Sequence, residues 1–172
     1  TTDTKIVLKD LLSNKEYSYI VKPLFYTAEG RCIKGRGSKK MVTVKTKPKP
    51  MAVGKTFTVD YLRYKVTKSK WKASEVTFIG TYNSTLEEIN IPSIVRDKNG
   101  ITYRVTAIGA SALHGNKRGK SVIIGSNCQK IQNRAFMNCS NLRQIRFRSK
   151  NMKAINKNAF KNICFTLRII TK

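Results

Sequence analysis

Acidic residues are scarce in this chain. Nine Asp and Glu stand against 35 Lys and Arg in 172 residues, a formal net charge of +26. That excess is larger than solubility requires and implies attraction to a polyanion, whether nucleic acid, anionic cell-wall polymer or acidic glycan. Between Lys98 and Lys172 there are sixteen Lys and Arg and no acid at all. Histidine is nearly missing too, with His114 alone. Acid–base catalysis needs titratable groups of distinct roles held close together, so no catalytic residue and no enzyme activity is expected. Glu87 and Glu88 are adjacent on a strand-like run and would face opposite ways, which excludes a working carboxylate pair. No phosphate-cradling glycine loop or Gly-x-Ser-x-Gly turn is present.

The four cysteines, Cys32, Cys128, Cys139 and Cys164, form no Cys-x-x-Cys pair and have no histidine at ligand spacing, so neither a metal nor a cofactor is expected. They read as small buried hydrophobes, with disulfide pairing left open. No run approaches the ~20 apolar residues of a membrane span, so none is expected. The first five residues lack the basic and apolar regions of a signal peptide, which fits a mature or excised piece of a longer chain.

What is present divides into two regions. The run from Thr46 to Gly54 holds two prolines and a glycine among lysines and reads as an extended connector. We therefore expect a β segment over 1–47, a linker over 48–53 and a second domain over 54–172. The first segment has strand-like runs at 5–8, 17–22 and 41–45, separated by turn-rich stretches. Tyr17, Tyr19 and Val21 alternate with Ser18, Ile20 and Lys22, and Leu11 lies six residues before Tyr17. That pattern resembles the tyrosine corner and last three strands of a fibronectin type III sandwich. The resemblance implies that the first half of such a sandwich lies upstream.

The second region repeats itself. Ala107-Ile-Gly-Ala-Ser-Ala-Leu113 is echoed by Lys130-Ile-Gln-Asn-Arg-Ala-Phe136 and by Ala154-Ile-Asn-Lys-Asn-Ala-Phe160. Strand-like stretches follow at 120–124, 142–147 and 167–170, and Leu86-Glu-Glu-Ile-Asn-Ile91 has the same form. A unit of this length, one turn and one strand, buries too little alone and must stack on its neighbours. Ile89, Ile91, Val122, Ile124, Ile145 and Phe147 are the expected inward columns. Gly119, where the pattern wants Leu, predicts a looser repeat.

These phrases, with Ile131 to Leu142 and Ile155 to Asn162, resemble the BspA-type leucine-rich repeat of bacterial surface proteins. The fold this implies is mostly β: a short leucine-rich-repeat solenoid with an N-terminal β-hairpin cap over 57–66. A second hairpin, over 94–105, is expected to turn at Asn99-Gly100 in the type I′ geometry. Trp71, in a polar turn, is expected to cover an end of the array.

The outward columns read Glu88, Ser121, Gln144, Arg168 and Asn90, Ile123, Arg146, Ile170, passing from acidic to basic. The candidate ligand surface is therefore Arg143, Gln144, Arg146, Arg148 and Arg168 with Ile123, arranged for charge-assisted hydrogen bonds to an anionic partner. The resemblance implies an extracellular or bacterial cell-surface adhesion module that binds a host matrix or surface protein, and the basic charge makes an anionic wall polymer or glycan an equal candidate partner. An accessory domain of a larger surface enzyme, such as a peptidase or glycosidase, is the alternative. Nucleic-acid binding ranks third, since no base-reading motif accompanies the charge.

Overall fold

The computed structural model describes residues 22, 24–36, 48–164, 166 and 168–171. The chain forms two compact units, Thr1–Lys49 and Pro50–Lys172. In the first, β1 (Leu24–Tyr26) pairs antiparallel with β2 (Cys32–Lys34). The hairpin turns at Gly30, φ 76°, whose N–H donates to the Thr27 carbonyl at 2.9 Å. No strand was expected here, although two short apolar runs flank a Glu-Gly turn. The expected strands over 5–8, 17–22 and 41–45, and the Tyr17 corner, lie outside the described residues except for Lys22.

The second unit is built of strands, with no helix among the described residues. β3 (Thr56–Val59) and β4 (Leu62–Lys68) make a hairpin, and β5 (Ser74–Thr81) pairs antiparallel with β4. In β4 the buried Leu62, Tyr64 and Val66 alternate with more exposed Arg63 and Lys65, the period of a strand with one covered face. β7 (Ile94–Arg96) pairs antiparallel with β8 (Thr102–Ile108). β5 and the two-residue strand β10 (Lys130–Ile131) flank β8 in parallel, and β12 (Ala154–Ile155) follows β10. Together these form one seven-stranded sheet. Opposite it, β6 (Glu88–Ile91), β9 (Ser121–Ile124), β11 (Gln144–Phe147) and β13 (Arg168–Thr171) form an all-parallel four-stranded sheet.

One core fills the space between the sheets. Ile89, Ile91, Val122, Ile124, Ile145 and Phe147 enter it from the parallel sheet, as expected. Tyr64, Phe78, Tyr103 and Ile108 enter from the other. Burying each such side chain adds about 1.5–3 kcal/mol. The turns carrying Leu113, Phe136 and Phe160 close a third side. Their backbones bond from one repeat to the next: Leu113 N–H to the Ala135 carbonyl and Phe136 N–H to the Ala159 carbonyl, both at 2.8 Å. At Gly119 a void of about 10 Å³ remains, bordered by Leu113, Val122, Phe136 and Leu142.

Two expectations are corrected. The turn between β7 and β8 is not type I′: Gly100 is left-handed at φ 77°, but Asn99 is not. The Asp97 carboxylate explains this, because its Oδ1 accepts the Asn99 and Ile101 N–H groups at 2.9 and 3.0 Å. Those bonds hold an ordinary turn that ends in one glycine. Trp71 covers little, since 49% of it is exposed in the loop between β4 and β5.

Candidate functional site

The parallel sheet has a core side and an outer side, and the strand register sets the outer columns. Glu88, Ser121, Gln144 and Arg168 stand in one row, and Asn90, Ile123, Arg146 and Ile170 in the next. Neighbouring strands in a sheet lie about 4.8 Å apart, and same-face residues along a strand about 7 Å. Gln144, Arg146 and Arg168 therefore sit within side-chain reach of one another. Arg143 immediately precedes β11 and Arg148 immediately follows it, and both are exposed. The register thus brings Gln144, Arg146 and Arg168 together, with Arg143 and Arg148 at the two ends of β11.

Ile123 behaves differently from the expectation. It occupies its outward column yet is only 8% exposed, without joining the hydrophobic core. In register it stands between Asn90 and Arg146 on the neighbouring strands, so it adds an apolar, mostly covered position to the face rather than an exposed contact.

Among the described residues, none of Arg143, Arg146, Arg148 and Arg168 forms an ion pair. The three salt bridges there use Glu75 with Lys68 and Arg104, and Glu87 with Lys120. Arg143 instead donates to Cys164 Sγ, and to Thr166 Oγ1 at 3.2 Å. A cluster of guanidinium groups without internal carboxylates keeps its planar donors available for a carboxylate, sulfate or phosphate of a partner. None of these residues lines the two larger concavities, of about 380 and 320 Å³, which lie elsewhere on the unit.

The cysteines divide. Cys128 and Cys139 are buried, and burial pushes both thiols up to about 11. The expectation of a buried thiol fails at Cys32, which is exposed on β2, and at Cys164, which is only partly covered. At Cys164 the Thr166 hydroxyl and amide, with the Arg143 guanidinium, hold the thiol below its ordinary value. Its spacing after Phe160 matched that of a core residue, and nothing in that spacing signalled the arginine from the preceding repeat. Among the described residues no group of His, Cys, Asp and Glu is placed to hold a metal ion.

The stacked turn-and-strand units are matched, in six copies over residues 73–172, by the family model of the BspA type leucine-rich repeat region. The chain belongs to the BspA-type leucine-rich repeat family. The match begins at β5, so the β3–β4 hairpin precedes the matched residues. Solved structures agree on the fold. A leucine-rich repeat protein from Bacteroides capillosus is similar with a TM-score of 0.51 and 18% identity, over 68% of this chain and 98% of that one. A leucine-rich cell surface protein from Faecalibacterium prausnitzii gives 0.56 and 22%, over 67% of this chain and 30% of that one. The pneumococcal vaccine antigen PcpA gives 0.55 and 18%, over 71% of this chain and 35% of that one. This BspA-type chain thus spans about a third of the last two proteins. No curated protein matches it.

Proposed function

We propose that the BspA-type array is a non-catalytic recognition module of a bacterial surface protein, and that its basic strand face binds an anionic partner. The observation that carries this is the set of arginines without carboxylate partners, Arg143, Arg146, Arg148 and Arg168, on and beside one parallel sheet. A solenoid offers such a face as an extended, rigid surface. The partner is an acidic wall polymer or glycan, or an acidic patch on a host matrix or surface protein. The location at the bacterial surface is supported by the likeness to the leucine-rich cell surface protein of Faecalibacterium prausnitzii. In this reading the β3–β4 hairpin caps the array, residues 48–53 link it to the preceding segment, and residues 1–47 belong to a fibronectin type III spacer.

The test is binding of the full chain to wall polymer, acidic glycan, matrix protein and DNA across a salt series. Selective binding that survives moderate salt, and weakens when Arg146 and Arg148 are replaced by Ser, supports the reading. Equal loss for every polyanion at moderate salt would reduce the interaction to net charge alone. Unchanged affinity in the double variant would move the site off this face.

A further inference from the structure

β6 is one edge of the parallel sheet, and its backbone polarity can be followed residue by residue. The N–H groups of Lys120 and Ser121 donate to the Glu87 carbonyl at 2.7 and 3.1 Å, and that of Gly125 to the Ile91 carbonyl at 2.9 Å. Residues 87, 89 and 91 therefore direct their amide and carbonyl groups to β9. In a parallel ladder the alternate residues face the other way, so Glu88 and Asn90 present theirs to the open edge. Beside that edge runs a groove of about 320 Å³. Val59, Leu62 and Leu86 give it apolar walls, and Asp60 and Glu88 bring carboxylates to it.

The sign of the groove is opposite to that of the chain. Six acids fall among the described residues. Glu75 and Glu87 are ion-paired, and Asp97 is held by turn amides and by the Tyr103 hydroxyl at 3.1 Å. Glu29 belongs to the first unit. The remaining two, Asp60 and Glu88, have no ion pair or side-chain hydrogen bond, and both line this groove. No Lys or Arg lines the groove, and the Arg63 guanidinium beside it is stacked over the Tyr82 ring, 4.7 Å from its centroid; at physiological salt the screening length is about 8 Å, so charges farther off do little to cancel the two carboxylates. Two exposed aromatics stand beside Asp60: Tyr61, 62% exposed, and Tyr82, 67% exposed, whose N–H donates to the Tyr61 carbonyl at 2.9 Å.

We propose that this groove binds an extended peptide bearing basic side chains, which adds as a strand to the open edge of β6. The peptide backbone pairs with the amide and carbonyl groups of Glu88 and Asn90, the strand-addition mode of recognition. Its apolar side chains lie against Val59 and Leu62, and its lysines meet Asp60 and Glu88. This site is separate from the arginine face and opposite to it in charge, so either can fail without the other.

The test uses the full chain and a capped Lys-Val-Lys-Val-Lys-Val peptide, titrated calorimetrically at about 0.15 M salt, where distant charges are screened. The same peptide methylated on alternate backbone nitrogens, and a Glu-for-Lys version, serve as controls. Binding of the lysine peptide is expected to weaken about tenfold or more on methylation and in Glu88→Lys, because each change removes a backbone bond or a charge pair. Asp60→Asn, which tolerates the left-handed backbone at φ 47°, is expected to weaken it as well. Slowed amide exchange at Glu88 and Asn90 on binding places the peptide at the edge. Failure of the lysine peptide to bind, equal binding of the methylated peptide, or unchanged affinity in a folded Glu88→Lys variant overturns the proposal.

Discussion

The rings of Phe136 and Phe160, one repeat apart, stack with centroids 5.2 Å apart and planes within 8° of parallel. Phe136 is fully buried, whereas Phe160 is partly buried against the core. Phe136→Ala is therefore expected to cost about 3–5 kcal/mol through lost burial and the cavity left behind. Phe160→Ala should cost less, because less of its side chain is removed from water to begin with. Urea unfolding of the two variants checks the order, and equal losses would show that the rings are not graded in this way.

Two glycines should respond oppositely to alanine. A Cβ on Gly125 would lie 2.4 Å from the Ser93 nitrogen and 2.6 Å from the Pro92 carbonyl carbon. Gly125→Ala must push apart the backbones at the ends of β6 and β9, a cost of about 1–3 kcal/mol. On Gly119 the added carbon meets only the Asn116 side-chain oxygen at 3.2 Å and Ile89 Cδ1 at 3.4 Å, beside the small void. Gly119→Ala is expected to stabilise by about 0.4–1 kcal/mol, since the unfolded chain also loses freedom. Thermal melts of both variants decide it, and a lowered midpoint for Gly119→Ala would mean that Asn116 cannot give way.

Thiol chemistry should follow the same division as burial. Cys164, partly exposed and held below its ordinary pKa by Thr166 and Arg143, is expected to alkylate faster at neutral pH than Cys128 or Cys139. The latter two should react only on unfolding, having been pushed up to about 11. Iodoacetamide labelling followed by peptide mapping gives the order. Arg143→Ala should slow labelling at Cys164, and an unchanged rate would remove the arginine from the account.

Glu75 ties three strands of the larger sheet, accepting from Lys68 on β4 at 3.3 Å and from Arg104 on β8 at 2.7 Å. Burial would raise its carboxyl, but the hydrogen bonds and charges of Lys68 and Arg104 outweigh it and bring the group below its ordinary value. A folded-state value below the unfolded one contributes stability above the unfolded value, lost as pH falls through the folded one. Acid unfolding should therefore be less steep in Glu75→Gln than in the native chain across the acid range. Identical pH profiles would show that the clamp contributes nothing.

The parts of this fold that were legible from the sequence are those with a repeated column. Ile89, Val122 and Ile145 fall in one register because each unit must bury the same strand face, and a period is visible without knowing the partner; Ile169 keeps that register while exposed. β5 was not legible although it is central. Its Val76, Thr77 and Phe78 are buried in succession, so the alternation that marks a one-sided strand is missing. Likewise the basic face could be composed from its columns, but nothing in the outward column of Ile123 signalled that it would be only 8% exposed. The acidic groove escaped notice because Asp60 and Glu88 are far apart in the chain, and only the folded hairpin brings them to one edge.

The bonds that run from each turn to the following one, from Leu113 to Ala135 and from Phe136 to Ala159, have a mechanical consequence. Each repeat is fastened mainly to its immediate neighbours, so tension along the array does not meet a single lock. It would peel repeats one at a time, each step breaking only the bonds between two neighbouring turns and strands.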